Sequence, residues 1–146
     1  MQKTLLLCLL ASSAAAYAQR SESCPDSHRI TVRGATYTAP TAGSGEWLGI
    51  AAPGISGAIQ TFESATFYPD DADAARPTGK FGKCSYRTAN GPVDLRYKPQ
   101  DTEPTVMLTD LNDWQAQQGP FGLRYFECRT PLASQCRFTL SQPAGR

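Results

Sequence analysis

The sequence is poor in the groups that most catalytic and metal chemistry draws on. Its 146 residues include one histidine, His28, so an imidazole cluster cannot form, and a nucleophilic serine or cysteine has a single candidate partner. Charge of one sign is scarce too: 14 basic residues face 13 acidic ones, interspersed along the chain. A nucleic-acid surface needs a basic face that displaces counterions; the even balance argues against nucleic acid and against an anionic membrane. No apolar run approaches the roughly 20 residues that span a bilayer. Uninterrupted helical patterns are also missing, because eleven prolines and twelve glycines break the chain into short apolar stretches, the punctuation of a sheet-rich domain with many turns.

The N-terminus reads MQKTLLLCLLASSAAAYAQR. One lysine, Lys3, precedes the apolar run Leu5 to Leu10, small residues follow, and Ala16-Tyr17-Ala18 fits an A-x-A cleavage site. The expectation is a signal peptide over 1–18, cut after Ala18, followed by one domain over 19–146 that is periplasmic or secreted. Removing the leader discards Cys8 and Lys3. It leaves four cysteines (Cys24, Cys84, Cys128 and Cys136) and a net charge near zero.

The fold class expected is mainly β: a small antiparallel sheet or sandwich-like domain built of hairpins, with one short helix at most and two disulfides. A first strand is expected within Arg29 to Ala39, a second around Trp47, and a third over Gly57 to Tyr68 with a bulge at Glu63 to Ala65, where the apolar alternation slips. Val93, Leu95 and Tyr97 alternate with Asp94, Arg96 and Lys98, which marks a half-buried strand. Asn90-Gly91 suits the turn before it, in a register that places Tyr86 near Leu95 and Cys84 near Tyr97. Pro104 to Thr109 reads as a strand. Asp110 to Gly119 reads as the helical turn, with Asp110 as its cap.

The chain ends in YFECRTPLASQCRF. A hairpin with Cys128 opposite Cys136 also sets Phe126 opposite Phe138, and strand alternation gives all four one face. By elimination Cys24 joins Cys84, closing a long loop and tying down the N-terminus. Four cysteines allow three connectivities, and sequence does not choose among them. A metal clamp would need clustered ligands such as repeated C-x2-C, and a redox pair would want C-x-x-C; neither occurs, so structural disulfides are the reading.

Other chemistry is thinly represented. Ser44 and Ser56 sit among glycines but match no nucleophile elbow, and His28 reads as a solvated polar residue. Glu46, Glu63, Asp94 and Glu127 are the carboxylates on expected strands, and their alternation points Asp94 and Glu127 to the wet face. Asp70, Asp71 and Asp73 resemble the start of a calcium loop, but the glycine and glutamate that should follow are Arg76 and Gly82. Gly79-Lys80-Phe81 lacks the rest of a phosphate loop. No metal and no cofactor are expected. Trp47 and Trp114, in glycine-rich or turn contexts, are the candidate binding residues, with core packing the competing role for each.

Read in order, CPDSHRITVRGATYTAP, GEWLG, the Phe62 to Tyr68 segment, GKCSYR, VDLRYKP and the closing Y-F-E-C and C-R-F resemble the DUF3757 family of small exported bacterial proteins, a domain of unknown function. The resemblance covers nearly all of the chain after the leader. It implies a compact disulfide-bonded β domain and assigns no catalytic residue. Function is therefore expected to be non-catalytic: an exported, monomeric binding protein of the envelope, of inhibitor or immunity type, that engages a protein partner. A glycan or cell-wall module using Trp47 and Trp114 is the alternative, and a small carboxylate-dependent hydrolase comes third.

Overall fold

The computed structural model describes residues 17–98 and 104–143. The leader expected over 1–18 lies outside these residues except for Tyr17 and Ala18, which begin the first strand. Eleven strands follow one another: β1 (Tyr17–Ser23), β2 (Thr31–Arg33), β3 (Thr36–Pro40), β4 (Glu46–Ile50), β5 (Ile59–Pro69), β6 (Thr78–Thr88), β7 (Gly91–Lys98), β8 (Thr105–Leu108), β9 (Trp114–Gln118), β10 (Arg124–Cys128) and β11 (Arg137–Pro143). Four single 3-10 turns are the only helical elements among the described residues. All pairings are antiparallel. The mainly β expectation is met.

β6 is the hub. One of its edges carries β5, and the other carries β8 at Thr78 and Gly79 and then β7 from Cys84 to Thr88. The sheet therefore branches into three arms: β8–β11–β1, β7–β4–β3–β2, and β5–β10–β9. The arms curl toward one another over a shared core. Trp47 of β4 lies edge-on to Phe81 of β6, Tyr97 of β7 and Phe138 of β11, with ring centroids 5.4, 5.7 and 6.2 Å away. Phe81 and Phe138 stack at 4.4 Å.

Several local expectations are corrected. The first strand splits at Gly34-Ala35 into the β2–β3 hairpin, because Gly34 takes φ +59° at the first position of a two-residue turn, where glycine is favoured. The β6–β7 turn centres on Ala89-Asn90, so Cys84 faces Leu95 and Tyr86 faces Val93, two residues from the expected register. Thr88 sets that turn: its hydroxyl donates to the carbonyls of Gly91 and Ile55 and accepts from Asn90 N–H. A two-residue shift preserves the faces, so the apolar pattern alone could not detect it. The helix expected over Asp110 to Gly119 is a single 3-10 turn, Leu111–Asp113, leading into β9. Asp110 makes no side-chain cap and has φ 52°. The bulge in β5 is present, with a register shift between Phe62 and Ser64.

Both disulfides form as paired from sequence, Cys24–Cys84 and Cys128–Cys136, and all four cysteines are fully buried. The hairpin invoked for the second does not exist. β10 lies between β5 and β9, with Phe126 facing Phe67 and Ala116, while β11 lies between β1 and β8, with Phe138 facing Glu22 and Leu108. The bridge joins two arms rather than two neighbours. Alternation reports which face a residue takes and says nothing about which strand lies beside it. Buried disulfides belong to an oxidising, extracytoplasmic compartment.

Candidate functional site

The two candidate tryptophans are core residues. Trp47 is fully buried and Trp114 is 5 % exposed, and the Trp114 indole N–H donates to the Arg137 carbonyl at 3.2 Å. A glycan platform needs an open ring face, which neither offers. Both sit at the first inward positions of short strands, where a large ring fills the gap between arms.

Three of the four candidate carboxylates are held in surface pairs. Arg87 Nε donates to Glu63 at 2.8 Å, Arg129 meets Glu127 at 2.9 Å, and Asp94 accepts from Lys83 Nζ and from the Ser85 hydroxyl, each at 2.7 Å. Glu46 lies across from Lys98 in the β4–β7 ladder. The structure does not gather these four carboxylates at one place. Among the described residues no group of three metal-ligating side chains occurs. In the aspartate-rich loop, Asp71 accepts from the Asp73 N–H at 2.9 Å, an Asx turn, and Asp73 takes a two-pronged hydrogen bond from Arg124 at 2.9 and 3.1 Å.

That bond, and the Arg124 charge behind it, hold the Asp73 carboxyl below its ordinary range. A depressed carboxylate contributes at pH values above its unfolded value and loses the contribution as pH falls through the folded one. Protection from hydrogen exchange in Pro69 to Arg76, relative to the intrinsic rate at each pH, should therefore be present at neutral pH and fall on acidification below the ordinary carboxylate range. Arg124→Gln should give the lower protection already at neutral pH.

One concave site lies beside both disulfides. An open groove of about 520 Å³ is lined by three segments: Asp26 to His28, Gln60 to Phe62 of β5, and Pro131 to Ala133. Its size lies within the usual range of small binding sites. The first segment begins two residues after Cys24, and the third lies inside the loop closed by Cys128–Cys136. The Ser134 N–H donates to Asp26 at 3.2 Å, joining those two segments. Beneath the first, the buried Tyr86 hydroxyl donates to the Pro25 carbonyl at 2.6 Å. Burial, with Asp26 adding to it, pushes that phenol far above its ordinary value, so Tyr86 remains a fixed donor. Thr130, next to the third segment, donates to the Leu132 carbonyl at 2.9 Å. These contacts fix the segments before any ligand arrives.

The lining is mixed. Leu132 is 57 % exposed, Phe62 is half-buried and edge-on to Tyr86, and Ser27, Gln60 and Thr61 supply uncharged polar groups. His28 is exposed on a 3-10 turn, and among the described residues no hydrogen bond joins it to Ser27 or Asp26, so the three do not form a relay. Sequence reading treated His28 as a solvated polar residue and left Pro131 to Ala133 within the loop of the expected Cys128–Cys136 hairpin. The signal that could have flagged them is that each lies within three residues of a cysteine.

Comparison with known proteins adds one relation. A family model described as a protein of unknown function (DUF3757) matches residues 18–139. No curated protein and no solved structure matches the chain.

Proposed function

The chain belongs to that family of unknown function, whose description assigns no activity, and from its own surface we propose that it is a non-catalytic, exported binding protein that engages a protein partner in the bacterial envelope. The disulfide-framed groove carries the reading. Two of its walls lie beside buried disulfides and are joined to each other by the Ser134–Asp26 hydrogen bond, and the third is a strand of the sheet. Rigidity of this kind lowers the ordering cost of binding. The expected leader supports export.

The lining favours polypeptide over sugar. Leu132 and Phe62 offer a place for one apolar side chain, and Ser27, Gln60 and Thr61 can satisfy the backbone amides beside it. A sugar would want an aromatic face to stack on, and Phe62 already spends its ring on Tyr86. An inhibitor or immunity role is the form of binding that such a rigid, preformed surface serves best.

The test begins with capture of a partner from envelope extract, followed by titration of that purified partner. Leu132→Asp and Thr61→Arg should each weaken binding by about tenfold or more, the cost of a charge introduced at a contact centre, with unchanged circular dichroism and melting temperature. Unaltered affinity in both variants, or saturable binding of peptidoglycan fragments in place of a protein, defeats the proposal.

A further inference from the structure

β9 is a free edge: among the described residues its one ladder partner is β10. Exposed edges are ordinarily protected by charge, proline or a bulge. β9 reads WQAQQ, without charge or proline, and its five-residue register with β10 is unbroken. The other arm ends differ. β1 carries Arg20 and Glu22, and β2 has only three residues, one of them Arg33.

The orientation of the free groups follows from the hairpin. The Gly119 N–H donates to the Leu123 carbonyl at 2.7 Å, so Gly119 points its backbone groups at β10. Antiparallel ladders alternate, and Gln117 and Gln115 do likewise, which turns Ala116 and Gln118 outward. Trp114 also turns its carbonyl outward, its N–H being given to Leu111. Ala116 stands at the centre of this edge.

Exposed apolar side chains flank it symmetrically. Phe121 is fully exposed and holds φ 58°, a left-handed backbone that a bulky residue adopts only at a cost. It lies five positions after Ala116, and Leu111, 39 % exposed, lies five positions before. Beyond Trp114 and Gln118 the chain leaves the extended form in single 3-10 turns, so an antiparallel pair of β9 strands centred on Ala116 would bring the turn carrying Phe121 of each copy to the end of the other copy's β9 that the Leu111 turn precedes. In the same register Ala116 exchanges both backbone bonds with its counterpart, and the Gln118 N–H reaches the Trp114 carbonyl. Asp113 falls opposite Gly119, so no like charges meet. A surface that complements itself about a single point is what a two-fold dimer requires.

We infer that two copies of this chain associate through β9 in that antiparallel register, forming a dimer in place of the monomer expected from sequence. None of the groove residues belongs to β9, so the inference stands or falls independently of the proposed partner site. A membrane-inserting tip is disfavoured because such a tip would want free basic residues around Phe121, and the neighbouring Arg124 is neutralised by Asp73.

Sedimentation velocity across a concentration series, on the exported chain with both disulfides intact, should show a monomer–dimer equilibrium. Ala116→Pro removes an outward N–H and leaves the β10 ladder whole; it should raise the dimer dissociation constant by about tenfold or more. Phe121→Gly should weaken the dimer similarly while raising the melting temperature of the monomer, since glycine accepts positive φ. Opposite signs for folding and association separate an interface role from a structural one. Ala116→Cys, mildly oxidised, should give a covalent dimer. A chain that stays monomeric at all concentrations overturns the inference. So does a dimer that Ala116→Pro and Phe121→Gly leave unchanged, or a Phe121-dependent binding to anionic vesicles without self-association.

Discussion

Trp47→Ala is expected to lower the unfolding free energy by about 3–5 kcal/mol, the range for a large aromatic truncated in a close-packed interior. The position explains the size. Trp47 is fully buried and touches Phe81, Tyr97 and Phe138, which come from three different strands, so its loss opens a cavity where two arms of the sheet meet the hub. For a domain whose whole stability is on the order of 5–15 kcal/mol, that is a large fraction. Trp47→Phe should cost much less. The Trp47 indole N–H is buried without a hydrogen-bond partner, and removing an unsatisfied donor offsets part of the lost packing. Urea titration of both variants measures the difference. If Trp47→Ala instead left stability unchanged and abolished binding to a ligand, the ring would be a contact surface and the core described above would be wrong.

The same residue shows how much of the fold was legible in the sequence. Short strands, the half-buried β7, the β5 bulge and the presence of two structural disulfides follow from alternation and cysteine count. Alternation is a property of one strand and is conserved under any even shift, so it could not fix the β6–β7 register. It also could not place β10 and β11 in different arms. The Cys128–Cys136 pair was inferred from a hairpin that does not form; the covalent bond is right and the strand pairing is not. β9 was misread as helical because Asp110 looked like a cap and Gly119 like a stop. The segment between them offers only Leu111, Trp114 and Ala116 as apolar residues, too few for a helical face.

The candidate site was less legible still. Trp47 and Trp114 drew notice as rare, large side chains near glycines, and tertiary packing took both into the core. The groove arises from segments about 30 and 70 residues apart that the fold brings together, two of them lying beside disulfides and joined by the Ser134–Asp26 bond. No motif marks it, because shape and rigidity rather than a reactive constellation define it. Phe121 was equally inconspicuous: its backbone angle and exposure belong to the hairpin and cannot be read from P-F-G alone.

Removing the disulfides should separate the frame of the fold from the frame of the groove. Replacing Cys24 and Cys84 together by alanine should cost about 4 kcal/mol, and replacing Cys128 and Cys136 about 2.5 kcal/mol, since the chain-entropy model scales with the logarithm of loop length. The separations are 60 and 8 residues. The first bridge ties the segment after β1 to the central strand β6. Without it the Tyr86–Pro25 bond at 2.6 Å is left to hold that segment, and β1 should exchange its amides faster. The second bridge costs less in stability but holds Pro131 to Ala133 against the groove, so its loss should act mainly on binding. Denaturant titration of the two double variants gives the ranking, and hydrogen exchange over 129–136 reports the loosened wall. A larger stability loss from the Cys128/Cys136 variant would reverse the ranking. It would mean that native-state packing at the junction of the two arms, rather than the entropy of the unfolded chain, sets what each bridge contributes.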